Sequence, residues 1–224
     1  MGVLGVNKII VESKNDKFFI QRIIEHLNLD NIEISEPLCN VDEYICLDGI
    51  SNLKNKLKDM KLDDIDVLGI VLDADEAGIQ TRVENINGIL QELKINIEFE
   101  KANEYRYDAV LDIKMICYIL NIDGNGDLDN VLKSIAKDSS IFADCLEKWR
   151  TCLREKDEDI TDKAFLKFWV NNYLRFDTCS QEEQKQSFKK CNFEQALQKD
   201  VWDFDNNVLD DLKEFLTLYK REII

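Results

Sequence analysis

Val67-Leu68-Gly69-Ile70-Val71-Leu72 is an unbroken run of six apolar or small residues, and it stops abruptly at Asp73-Ala74-Asp75-Glu76. A run this short, rich in β-branched residues and lacking alternation, predicts a strand buried on both faces. Such strands belong to parallel sheets covered by helices, where ligands bind beyond the carboxyl ends of the strands. Alternation along a strand turns Asp73 and Asp75 toward the same side. Two carboxylates roughly 4 Å apart repel by about 4 kcal/mol at an effective dielectric near 20, so the pair calls for a cation, a proton or a splayed loop. A divalent metal answers that need, and capping of the helix that starts near Glu76 is the structural alternative.

The flanking sequence repeats the pattern of strand, acid and helix. Lys8–Val11 predicts a strand ending at Glu12. Ser13 and Asp16 then fit a capping box that opens a helix with Phe19, Ile20, Ile23, Ile24 and Leu27 on its apolar face. Further strands are expected at Asn31–Ser35, Tyr44–Leu47, Asn96–Phe99 and Ala109–Ile113, with Met115–Ile122 the last apolar segment before a turn. Helices are expected over Ser51–Lys58 and through Ile79, Val83, Ile86, Leu90 and Leu93, with Arg82 and Glu84 exposed. The turn Asp123-Gly124-Asn125-Gly126-Asp127-Leu128-Asp129 supplies a third set of acids and opens a helix through Val131, Leu132 and Ile135. Alternating strands and helices imply an α/β fold, a parallel or mixed sheet with helices on both faces. Parallel strands exit on one edge, so Glu12, the pair Asp73 and Asp75, and the pair Asp127 and Asp129 can converge although distant in sequence. The glycine turn is neither an EF-hand, since Leu128 stands where Gly is required and Ser134 where a bidentate Glu is required, nor a dinucleotide fingerprint.

From about Lys137 strand signals stop. Three helices are expected, through Ile141, Cys145, Leu146, Trp149 and Leu153, through Phe165, Phe168, Trp169 and Tyr173, and through Val208, Leu212, Phe215, Leu216 and Tyr219, their aromatics serving as core. The seven cysteines are odd in number, scattered and without a C-x-x-C pair, which favours reduced thiols, most of them buried, over a zinc site or disulfide framework. No run reaches the roughly 20 apolar residues of a membrane span, and neither a leader nor a lipidation signal is evident, so a cytoplasmic protein is expected. The net charge of −16 opposes nonspecific nucleic-acid binding, which neutralising phosphates drives, although screening lets a local face or a bound metal act against it.

The motifs together resemble the Toprim family, the metal-binding module of topoisomerases, bacterial primases and OLD-type nucleases. Val11-Glu12-Ser13-Lys14-Asn15-Asp16 is similar to the family's strand-end Glu followed by a helix-opening Asp, with Ser13 in place of the usual Gly, and Leu72-Asp73-Ala74-Asp75 is similar to its D-x-D motif. Gly126-Asp127-Leu128-Asp129-Asn130-Val131-Leu132 resembles the G-x-L-E-D-L turn of a bacterial group of stand-alone Toprim-like proteins related to OLD nucleases, with Asp129 for Glu. The tail segments Asp162-Lys163-Ala164 and Trp202-Asp203-Phe204-Asp205 extend this likeness over nearly the whole chain. The resemblance implies a Toprim-like domain over 1–137 and a helical appendage over 138–224. It implies Glu12 as general base or metal ligand, Asp73, Asp75 and Asp129 as ligands, and Asp16 and Asp127 in support. Lys163 would be a cation for transition-state charge. The implied activity is magnesium- or manganese-dependent phosphodiester hydrolysis of DNA or RNA, with a connection to phage defence. The alternatives are a module that cuts nothing by itself and acts with a partner ATPase, and a metal-dependent phosphatase or nucleotide hydrolase.

Overall fold

The structure is a computed structural model and describes residues 6–39, 49–137 and 139–220. Its centre is a five-stranded sheet of order β2-β1-β3-β5-β4. The strands are β1 (Val6–Val11), β2 (Ile32–Ile34), β3 (Ile65–Asp73), β4 (Arg106–Asp108) and β5 (Ile113–Leu120). The first three and β5 are parallel, and β4 pairs antiparallel on the edge. This is the α/β architecture expected from the sequence, with β3 at the middle of the sheet. The strand expected at Tyr44–Leu47 lies outside the described residues.

Helices α1 (Lys14–His26), α2 (Gly49–Asp59) and α3 (Gly78–Glu92) connect the strands. The chain steps from β1 outward to β2, then returns past β1 to β3. With right-handed crossovers, that reversal sends α1 to one face and α2 and α3 to the other. The packing agrees. Ile10, Ile70, Leu72, Cys117 and Ile119 share a core with Leu53 and Leu57 of α2 and Val83, Ile86 and Leu90 of α3. On the opposite face Phe215 meets Tyr118, with ring centroids 5.6 Å apart.

Two expected strands are corrected. Asn96–Phe99 forms no strand, because side chains take up its backbone groups. Asn87 donates to the Phe99 carbonyl at 2.8 Å and accepts from its N–H at 2.9 Å, Asp108 accepts from Asn96 N–H at 2.8 Å, and Arg106 donates to the Glu98 carbonyl at 2.9 Å. Residues 109–112 are a turn rather than a strand. Asp108, 1% exposed, accepts the N–H groups of Val110 and Leu111 there, and these bonds with the one from Asn96 lower its carboxyl pKa.

The chain divides into two compact units, one running to Leu128 and resuming at Leu209, the other Asp129–Val208. The expected boundary after residue 137 therefore falls earlier, and the expected appendage over 138–224 loses its last helix to the sheet unit. That helix, the tenth in chain order (Asp210–Thr217), uses its apolar face on β5 and on Gly69 of β3.

The second unit contains most of α4 (Leu128–Ile135), then α5 (Ile141–Arg154), α6 (Asp162–Asn172), and the short helices α7 (Gln181–Gln184), α8 (Ser187–Lys190) and α9 (Phe193–Leu197); α10 is the helix of the sheet unit. Its core stacks Trp169 on Tyr173, and Tyr173 edge-on to Trp202, each pair at 5.2 Å. Arg150 is buried over the Phe165 ring at 4.9 Å and pairs with Asp159 and Asp162. Contrary to the expectation of reduced thiols, Cys179 is bonded to Cys191, and Cys39 is disulfide-bonded too. Of the free thiols, Cys117 is buried while Cys145 and Cys152 are exposed.

Two ion pairs make this unit acid-sensitive. The guanidinium of Arg150 holds Asp159 down to about 2, and the Lys199 ammonium, helped by the Ser180 cap, holds Glu183 down to about 2. A carboxylate with a depressed folded-state pKa stabilises the fold above its unfolded value, near 4, and loses that contribution as pH falls through the folded value. All three tryptophans, Trp149, Trp169 and Trp202, lie in this unit, so tryptophan fluorescence reports on it selectively. Its thermal midpoint is expected to drop between pH 4 and pH 2, and to drop less in Glu183→Gln; an unchanged slope in that variant would remove Glu183 from the account.

Candidate metal centre at the carboxyl edge of the sheet

The parallel pairing Val11↔Val71 sets β1 beside β3, so Glu12 leaves β1 next to Asp73 at the end of β3. The two meet, with Asp73 N–H donating to Glu12 Oε2 at 3.4 Å. This is the place where the strand order reverses, between β1 and β3, and in open α/β sheets it is where the crevice for ligands opens.

Behind Glu12, Ser13 N–H donates to Asp16 Oδ2 at 2.8 Å and Asp16 N–H to Ser13 Oγ at 3.2 Å. This capping box starts α1 and fixes Asp16, which is buried, at the same edge.

On the other side, Asp73 pairs with Leu120 at the end of β5. The loops that follow these strands are joined through their backbones. Asp75 N–H donates to the Gly126 carbonyl at 2.7 Å, and Gly126 N–H to the Asp75 carbonyl at 3.0 Å. Gly126 has φ +94°, a conformation that only glycine adopts without strain, so the turn that returns Asp127 to the edge needs a glycine there. Asp127 is 7% exposed.

Burial pushes the Asp73 carboxyl well above its ordinary range, and the charges of Asp16, Glu12, Asp127 and Asp75 push it further. Desolvation and like charges both disfavour the ionised form, and a bound cation would reverse both.

Asp75 departs from the expected arrangement. The strand ends at Asp73, and Asp75 has φ +49°, so the alternation that turns residues two apart to one side no longer applies. Its carboxylate is instead paired with Arg82 of α3 at 2.5 Å. Arg82, expected to be exposed, has a side chain only 17% accessible, and its Nε is buried without a hydrogen-bond partner. Sequence periodicity missed it; the only cue was its place seven residues after Asp75, in the second turn of α3. The capping alternative for the acids is not what opens α3, whose cap position is Ala77 with no side-chain cap.

Asp129 sits half-buried in the first turn of α4, and Lys163 is exposed in the first turn of α6 after the Thr161 cap. Both belong to the second unit. Among the described residues, no group of three or more His, Cys, Asp or Glu side chains is arranged to hold a metal ion. No described helix is long and apolar enough to cross a membrane.

Fold and site define an α/β protein with a mostly parallel sheet and carboxylates gathered at its carboxyl edge. The chain belongs to the family described as "Protein of unknown function (DUF3226)", whose model matches residues 6–219. No curated protein matches it. Among solved structures it is similar to the C-terminal region of the OLD protein of Xanthomonas campestris pv. campestris, at 15% identity and a TM-score of 0.37, covering 98% of this chain and 100% of that one.

Proposed function

We propose that the acids at the β1/β3 edge bind magnesium or manganese and that the chain is a phosphodiester hydrolase acting on DNA or RNA. The observation that carries this reading is Asp73, placed against Glu12 at the switch point and surrounded by Asp16, Asp75 and Asp127. The donor set is all oxygen, which selects hard divalent ions. Glu12, Asp73 and Asp127 would hold the ion, with Asp129 as the further ligand that the motif resemblance assigns. Magnesium usually takes one or two protein carboxylates and fills its shell with waters and substrate phosphates, so not all of these carboxylates need reach it at once. Bound there, the ion would supply Lewis-acid polarisation of the phosphate and a nucleophilic water at neutral pH. Asp16 keeps the start of α1, and with it Glu12, in place, and Arg82 fixes the loop through Asp75. A carboxylate at Glu12 serves as base toward water. Lys163 stays a proposed cation for phosphate charge.

A second reading follows from the net charge of −16, which repels a phosphodiester backbone. In it the chain binds the ion but cuts only together with a partner ATPase.

Calorimetric titration of magnesium and manganese into wild type and the Asp73→Ala/Asp75→Ala variant, with plasmid and single-stranded DNA digestion alongside, separates the readings. Binding and metal-dependent cutting in wild type, both lost in the variant, are expected. Binding without cutting favours the partner-dependent module. No binding at millimolar metal removes the catalytic reading for this chain by itself.

A further inference from the structure

Five of the eight large apolar side chains exposed among the described residues belong to the helical unit: Ile141 at 79%, Phe142 at 53%, Trp149 at 40%, Phe168 at 42% and Phe176 at 44%. Four of them form two contacting pairs. Phe142 stacks on Phe176 at 5.2 Å, and Trp149 tilts against Phe168 at 5.3 Å.

The spacing along α5 organises the patch. The inward row of this helix is Ala143, Leu146, Arg150 and Leu153, at intervals of three, four and three. One residue before each lies a second row, Phe142, Cys145, Trp149 and Cys152, at the same intervals and exposed throughout. A shift of one residue turns this second row about 100° from the first. Intervals of three and four are those of a helix–helix seam.

The intervals of the outer row are the same in both directions, and its side chains alternate in size. Two copies of α5 paired antiparallel about a two-fold axis place each Phe142 opposite Cys152 of the second copy, and each Trp149 opposite Cys145. Every bulky ring then faces a small thiol. Parallel pairing would set Phe142 on Phe142 and Trp149 on Trp149, ring against ring. Large against small is the arrangement that fills a seam without voids or overlap. An isologous interface requires this self-complementarity, and a two-fold dimer is the commonest oligomer that provides it.

The area is sufficient. An aromatic side chain has about 150–250 Å² to bury. At the exposures above, four aromatics and Ile141 leave roughly 500 Å² per copy, which over two copies reaches the roughly 1,000 Å² at which specific interfaces begin.

We infer that the exposed row of α5, flanked by Phe168 and Phe176, is the interface of an antiparallel homodimer. The dimer requires nothing of the acids at the sheet edge.

Sedimentation equilibrium is expected to give twice the 26.2 kDa of one chain for wild type and a single chain for Phe142→Asp/Trp149→Asp, with unchanged far-ultraviolet dichroism because both side chains are exposed. A wild type still monomeric at about 100 µM, or a double variant still dimeric, overturns the inference. Cross-linking tests the pairing in chains that keep most of the seam. Phe142→Cys under copper-phenanthroline is expected to link position 142 to Cys152 of the second copy, and Trp149→Cys to link position 149 to Cys145. Links between the two new thiols would mean parallel pairing and would overturn the arrangement.

Discussion

Gly69→Ala is expected to destabilise the sheet unit by about 1–3 kcal/mol, the usual range for adding a methyl to a filled core. At about 2–4 °C of midpoint per kcal/mol for a chain of this size, the change is easily measured. The cause is the C-terminal helix. A Cβ at Gly69 would stand 1.8 Å from the Tyr219 hydroxyl oxygen, 3.0 Å from Phe215 Cζ and 3.1 Å from Tyr219 Cζ. Both rings are buried and set edge-to-face at 5.7 Å, so neither can swing away without opening the other. The Tyr219 hydroxyl is also buried without a hydrogen-bond partner, and burial raises its pKa well above the ordinary value. Removing an unpaired buried hydroxyl leaves no group unsatisfied, so Tyr219→Phe is expected to be neutral or stabilising. It also deletes the atom at 1.8 Å. The double variant should therefore recover part of the loss, with a coupling above about 0.5 kcal/mol in denaturant titrations of the four proteins. Strict additivity would mean that Tyr219 does not lie over Gly69.

The sequence announced Gly69 only as one more small residue in a strand, which shows where its legibility ended. Patterns local to one element were readable. The apolar run marked β3, Ser13 and Asp16 marked the start of α1, and the acids after three apolar segments marked the edge where Glu12, Asp73 and Asp127 stand. Features decided by a neighbour were not. The periodicity of Leu212, Phe215, Leu216 and Tyr219 identifies an apolar helix face but not the core it joins, and that face belongs to the sheet. Asn96–Phe99 has strand composition, yet Asn87, Arg106 and Asp108 intercept its backbone groups. Phe168 and Trp149 sit at helical spacing like core residues and are exposed. The two-residue rule for Asp73 and Asp75 presumes that the pleat continues, and the strand stops two residues short of Asp75.

Asp73→Asn is expected to raise the thermal midpoint of the metal-free protein at neutral pH while removing its response to magnesium. Asp73 gains a raised pKa on folding, so its ionised form opposes the folded state once the pH exceeds the ordinary carboxylate value near 4. An amide of the same shape carries no charge, and the repulsion from Glu12, Asp16, Asp75 and Asp127 disappears with it. A gain of about 1 kcal/mol or more, roughly 2–4 °C, is expected. Magnesium is expected to act on only one of the two proteins. An ion that binds only the folded chain stabilises it by about 2.7 kcal/mol at a hundred times its dissociation constant, so wild type should climb with magnesium while the variant stays level. The crossing of the two titrations is the diagnostic result. A residue serving only the fold would destabilise when replaced, whereas a ligand held among like charges stabilises when replaced and loses its ion. If Asp73→Asn lowers the metal-free midpoint, Asp73 is a structural residue and the cation site must be sought elsewhere.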